Sequence, residues 1–180
     1  AGRIRRLAHM DLMDHTRPQE ARVQVDVPHA GRSVAIDLRL SVVPALGGDS
    51  IAIRLMQRAV APRALEQLGL APAVLAKLKG LLTRPAGVLL ATGAARTGAA
   101  ETLHACLLTR DSSDTRIVTV EQPIEFVNDA IVQTEPAGEG GAARAAYVRA
   151  LLRHDPDVIM ITDVSDPETA ALAFRAAQDG

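Results

Sequence analysis

The sequence predicts an α/β chain in two parts: a small antiparallel α+β module over residues 1–60 and a parallel α/β portion over 61–180. Two observations carry this. Three segments of the first sixty residues alternate apolar with polar side chains, the pattern of strands with one buried face. From about residue 62 the rhythm changes to helical segments interleaved with short, continuously apolar runs, the pattern of parallel strands covered on both faces.

The first part opens on a helix expected over Gly2 to Asp14, with Ile4, Leu7, Ala8 and Leu12 roughly on one face. Alternation then predicts strands over Ala21–Val27, Ser33–Pro44 and Ser50–Gln57, with turns at "HAGR" and "ALGGD". The stretch "RAVAPRALEQLG" is the best linker.

In the second part, "APAVLAKLKGLLTR" (Ala71–Arg84) reads as a helix with Pro72 in its first turn and Pro85 ending it. "GVLLATG" (Gly87–Gly93) reads as a strand buried on both faces, followed by a helix from about Gly98 to Thr109. "RIVTVEQPIEF" (Arg116–Phe126) and "PDVIMITDV" (Pro156–Val164) supply two further strands. Between them, "AGEGGAA" is a loop and "ARAAYVRALLRHD" a helix with Ala146, Val148 or Tyr147, Leu151 and Leu152 facing inward. Asp166 and Pro167 open the last helix as N-cap and first residue.

Composition excludes several function classes. The formal net charge of −1 gives no electrostatic argument for nucleic acid or an anionic membrane surface. A single cysteine, Cys106, forms no disulfide within the chain. The five histidines show no metal-ligand spacing and read as ordinary surface or edge residues. No apolar run is long enough to span a bilayer.

The chemistry-bearing stretch is Gly93-Ala94-Ala95-Arg96-Thr97-Gly98-Ala99-Ala100. Two glycines around four residues, between an apolar run and a helix start, have the spacing of a phosphate loop, whose backbone N–H groups cradle an anion at a helix N-terminus. Such a loop also uses a lysine for the β/γ-phosphates and a hydroxyl for magnesium. Here both positions, Ala99 and Ala100, carry methyl groups. Arg96 could aim a guanidinium at a phosphate in place of the lysine; the competing reading is a solvated loop arginine. Glu121 and Asp163 stand at the carboxyl ends of neighbouring strands, where parallel sheets place their sites. They could hold magnesium, or cap or pair with Arg149 or Arg153.

Five segments, "MDLMDHTRPQEAR", "DLRLSVVPALGGDSIAIRLM", "RPAGVLLATGAARTG", "IVTVEQPIEF" and "LLRHDPDVIMITDVSDPETA", follow one another over nearly the whole chain. In order and spacing they resemble the ATPases of type II secretion and type IV pilus assembly, within the P-loop superfamily. The last segment resembles the family's Walker B form LRxDPDxxMxGExRDxETA. The resemblance implies part of a small N-terminal α+β domain followed by a RecA-like parallel-sheet P-loop core, truncated at the C-terminus. It also implies that the family's histidine box lies beyond Gly180.

The departures form a set. Besides Ala99 and Ala100, Gln122 replaces an aspartate of the acidic box, while Glu121 and Glu125 remain. Thr162-Asp163 stands for a Gly-Glu pair, and Ser165 for an arginine. Asp163 could act as base in place of the longer glutamate only with shifted geometry. The resemblance thus implies a catalytically degenerate member or fragment, a structural or regulatory partner, with a weak ATPase as the alternative. ATP and magnesium are the implied cofactors if nucleotide binds at all. Arg39 and Arg54 stand where the family uses arginines to reach nucleotide from the small domain; they also lie on the polar side of their strands. The implied partners are copies of itself or homologous subunits in a hexameric ring, and inner-membrane platform proteins. The implied location is cytoplasmic, peripheral to the inner membrane.

Overall fold

The computed structural model describes residues 1–29, 32–57, 62–94, 97–110, 113–136 and 140–179. It divides into two compact units, Ala1–Ala59 and Val60–Gly180. The turn expected at 29–32 and the start of the linker fall partly outside the described residues, as do Ala95 and Arg96.

In the first unit, α1 (Gly2–Leu7) precedes β1 (Gln19–His29), β2 (Arg32–Ala45) and β3 (Gly48–Gln57), an antiparallel sheet in the order β1-β2-β3. Alternation set the register: Ala21 pairs Leu40, which pairs Ile53, and Val23 pairs Leu38, which pairs Leu55, so the apolar residues share a face. Ala8 and Met10 cover that face around Leu40 and Val42, with Ile4 and Ile51 beside them.

The helix expected to Asp14 stops at Leu7. His9 takes a positive φ of 54°. Beyond it, Asp11 Oδ1 accepts from Met13 N at 2.8 Å, and Asp14 Oδ1 accepts from Thr16 N at 2.9 Å. Short acidic side chains thus capture the backbone donors a helix would need. Fully buried Arg5 holds this turn from inside, donating to Asp49 Oδ2 (3.0 Å) and to the carbonyls of Asp11 (3.1 Å) and Asp14 (2.5 Å).

The second unit holds a 3-10 turn at Leu65–Leu68, then α2 (Pro72–Leu82), α3 (Ala99–Leu107), β4 (Ile117–Val120), β5 (Val132–Thr134), α4 (Gly141–Leu152), β6 (Val158–Ile161) and α5 (Pro167–Asp179). The sheet is parallel, in the order β5-β4-β6. Leu65, Ala105 and Cys106 gather the half-buried leucines of α2 into one core. Val118, Val120, Val148 and Leu151 form another between β4 and α4. On α4 the buried residues are Arg144, Ala145, Val148 and Leu151; Ala146, expected inside, is exposed.

Two expectations about strands need correction. β5 forms in a stretch that carries no strong signal. Conversely, Gly87–Gly93 is no ladder strand among the described residues. Val88, Leu89 and Leu90 are 42%, 41% and 65% exposed. Continuous apolarity reports a tendency to be buried, whereas a strand is made by ladder hydrogen bonds to a neighbouring edge, and among the described residues none joins Gly87–Gly93 to one. Both edges of β4 are taken. At β6, Val158 N and Thr162 N bond back to β4, so Ile159 and Ile161 turn their peptide groups to the outer edge. That edge and Gly87–Leu90 line a groove of about 370 Å3, flanked by α3 and α5 residues such as Leu107 and Ala177. The apolar run lies across a gap from the sheet rather than in it.

Candidate functional site

The turn from Gly93 leads into α3 as its spacing predicts, but the strand expected before it is no part of the sheet among the described residues. Thr97 Oγ1 donates to Ala94 O at 2.7 Å, closing the turn. Gly98 stands at the helix N-cap with φ 93°, a conformation glycine adopts without a Cβ penalty. No side chain caps α3, so its first N–H groups are left as anion donors. Ala99 and Ala100 add only methyls there. The nearby hydroxyls are spent on carbonyls: Thr97 on Ala94, and Thr102 on Gly98 at 2.8 Å.

Glu121 sits just beyond β4 and is buried. Its Oε2 lies 2.8 Å from His104 Nε2 of α3, and its Oε1 accepts from Thr119 Oγ1 (2.6 Å) and Gln133 Nε2 (3.0 Å). The His104 ring meets Phe126 edge-on, with centroids 5.0 Å apart. Burial raises the Glu121 pKa, but the hydrogen bonds from His104, Thr119 and Gln133 outweigh it and hold the carboxyl below its ordinary range. His104 is therefore no surface histidine. The signal that could have found it is positional: it lies six residues after Gly98, on the α3 face that carries Leu107 into the core.

Asp163, beyond β6, pairs with neither Arg149 nor Arg153. Its Oδ2 accepts from Arg144 Nη2 at 2.6 Å and from Ser165 Oγ at 3.2 Å. Arg149 pairs instead with Glu168. Arg144 escaped sequence reasoning, although it heads the stripe Arg144, Val148, Leu151 at helical spacing, where an arginine is buried with its stripe. Asp166 caps α5 as expected, accepting from Thr169 N at 2.8 Å.

Arg39 and Arg54 are direct cross-strand partners on β2 and β3, and Arg22 of β1 is the partner of Arg39 on the other side. The row is tempered by Asp37, whose Oδ2 accepts from Arg22 Nη2 at 2.8 Å. These arginines belong to the first unit, and the loop and the two acids to the second.

The magnesium that the resemblance implies does not fit this donor set. Mg2+ needs nearly octahedral oxygen ligands and keeps several waters. Glu121 is buried with both oxygens engaged, and Asp163 is tied to a guanidinium. The loop's Thr97 hydroxyl is spent on the Ala94 carbonyl. Among the described residues, no group of three or more His, Cys, Asp or Glu side chains could hold a metal ion. Nor is any described helix long and apolar enough to cross a membrane.

The family model described as "Type II/IV secretion system protein" matches residues 1–180. Similar curated proteins include the type II secretion system protein HxcR of Pseudomonas aeruginosa, 39% identical over 99% of this chain and 37% of its own length. Another is the type II secretion system protein E of Klebsiella pneumoniae, 35% identical over 99% of this chain and 35% of its own length. The chain thus spans little more than a third of these relatives. Among solved structures, the pilus retraction motor PilT with bound ADP matches at TM-score 0.64 and 29% identity, covering 88% of this chain and 45% of that one. The ATPase DotB of Yersinia pseudotuberculosis matches at TM-score 0.72 and 22% identity, covering 99% and 50%; that likeness speaks to the fold alone.

Proposed function

The chain belongs to the Type II/IV secretion system protein family, and from that premise we propose that it is a non-catalytic structural or regulatory partner in a secretion or pilus-assembly machine. One observation carries this reading: the head of α3 presents backbone donors and two methyl groups where a phosphate loop needs an ammonium and a hydroxyl. Each charge-assisted contact to phosphate contributes roughly 1.5–3 kcal/mol, so losing both weakens nucleotide capture severely. Turnover suffers more, because phosphoryl transfer relies on placed charge, a single arginine contributing about 10³–10⁵ in rate. The engagement of Glu121 by His104 and of Asp163 by Arg144 supports the same reading. Both oxygens of Glu121 are engaged, and Asp163 Oδ2 is held by the Arg144 guanidinium.

Ring assembly with copies of itself or with homologous active subunits, docking to an inner-membrane platform, and a cytoplasmic, membrane-peripheral position are parts of this proposal. Isothermal titration with ATP and magnesium tests it. No binding heat is the expected result, and tight, magnesium-dependent binding with brisk hydrolysis overturns it.

The second reading is a weak nucleotide binder or ATPase. What favours it is the start of α3, whose first N–H groups have no side-chain cap. Magnesium-dependent binding with weak or no turnover would select it.

A further inference from the structure

We propose that Arg144 is a resident cation that closes the acidic end of β6 to divalent metal. The side chain is only 7% exposed, and its guanidinium lies among three partners brought by the β6–α5 connection. Nη2 donates to Asp163 Oδ2 at 2.6 Å; Nη1 lies 3.4 Å from Ser165 Oγ and 3.5 Å from Asp166 Oδ2. Asp166 Oδ2 is buried and takes no hydrogen bond, so this guanidinium is its compensating charge.

Charge and space both work against a metal here. An arginine does not lose its proton in a protein, so it cannot yield by becoming neutral. A divalent ion at Asp163, whose side chain is 46% exposed, would sit within a few ångströms of a fixed positive charge, well inside the roughly 8–10 Å over which salt screens charges. The far wall is backbone: a methyl built at Gly141 would lie 2.4 Å from Asp166 Cγ, so that carboxylate is pressed against the start of α4. A hydrated magnesium ion does not fit between them. The metal insensitivity of this end of the sheet thus comes from a residue that is present, Arg144, and is separate from the side chains missing at Ala99 and Ala100.

The test uses metal alone, without nucleotide, and so stands apart from the functional reading above. Amide spectra are recorded with millimolar Mn2+ on the full chain, on Asp163→Asn, and on Arg144→Gln, Arg144→Lys and Arg144→Gln/Asp163→Asn. The expected result is no site-specific broadening at residues 163–166 in the wild type or Arg144→Lys. Arg144→Gln should gain such broadening, with Mn2+ affinity raised by about tenfold or more, and lose it again in the double variant. A folded Arg144→Gln that stays silent overturns the proposal. Should that variant not fold, the wild type decides: broadening at 163–166 that Asp163→Asn abolishes overturns it, and its absence supports it.

Discussion

His104 Nε2 on α3 lies 2.8 Å from Glu121 Oε2 at the end of β4, and the two side chains are 2% and 1% exposed. The contact ties the helix that begins at the phosphate-loop turn to the acidic end of the sheet. It also removes Glu121 from the surface where a ligand could reach it. A carboxylate this deeply buried persists because three donors converge on it.

Removing one partner strands the other. His104→Ala should lower stability by about 3–5 kcal/mol, the usual penalty for a buried charge left uncompensated. Glu121→Gln keeps an acceptor for Thr119 and should cost less. Urea unfolding of both variants checks the ranking; equal, negligible losses would show that the pair does not hold the fold.

The same carboxylate predicts an acid-sensitive term. Its folded pKa lies below the ordinary value of 4.5. The pair's contribution is therefore fully present above about pH 4.5 and is lost as pH falls through the folded value. Unfolding free energy measured across that window should fall less steeply for Glu121→Gln than for the wild type.

Restoring the two missing side chains isolates their role. Ala99→Lys with Ala100→Thr should recover nucleotide binding by about two orders of magnitude or more, from two contacts of roughly 1.5–3 kcal/mol each. Hydrolysis should stay low, because Glu121 and Asp163 remain engaged. Titration and phosphate release measured side by side separate the two effects, and rapid turnover of this variant would contradict the assignment.

Gly141 offers a test with opposed terms. Alanine is the better helix former by up to about 1 kcal/mol. Yet its methyl would meet Asp166 Cγ at 2.4 Å and Cβ at 2.7 Å, forcing the start of α5 to move. Overpacking of this kind costs about 1–3 kcal/mol. A lower melting temperature for Gly141→Ala is expected, and a higher one would mean that the close approach is not maintained.

Arg5 should be the keystone of the first unit. Arg5→Met leaves Asp49 without its guanidinium partner, while Gln19 Nε2 still donates to the carbonyls of Asp11 and Asp14; the uncompensated carboxylate should cost about 3–5 kcal/mol. Hydrogen exchange should quicken within residues 1–57 and remain unchanged in 62–179. Uniform loss of protection over both would refute a local role.

Some of this architecture was open to reading from residue order alone. The alternation in Ser33–Pro44 and Ser50–Gln57 states which face of a strand is buried, because side-chain direction repeats every two residues whatever lies nearby. The spacing of Gly93 and Gly98, the methyls at Ala99 and Ala100, and the Walker B-like run ending in "DPETA" were equally visible, and with them the family. The end of α1 at Leu7 was less so, because Asp11 and Asp14 compete for backbone donors only once the chain has turned.

Other features depended on what stands opposite. Gly87–Gly93 is apolar enough for a buried strand, yet no neighbouring edge takes it up. His104 is seventeen residues from Glu121, and Arg144 nineteen from Asp163. Nothing in the periodicity of α3 or α4 names those partners. Residue order by itself determined the alternating strands of the first unit, the helices α2 to α5 of the second and the groups the loop lacks, since each is a property of a few consecutive positions. Only the tertiary structure decided which partner each acid receives, since a buried carboxylate is compensated by whatever donors chain closure brings within about 3 Å.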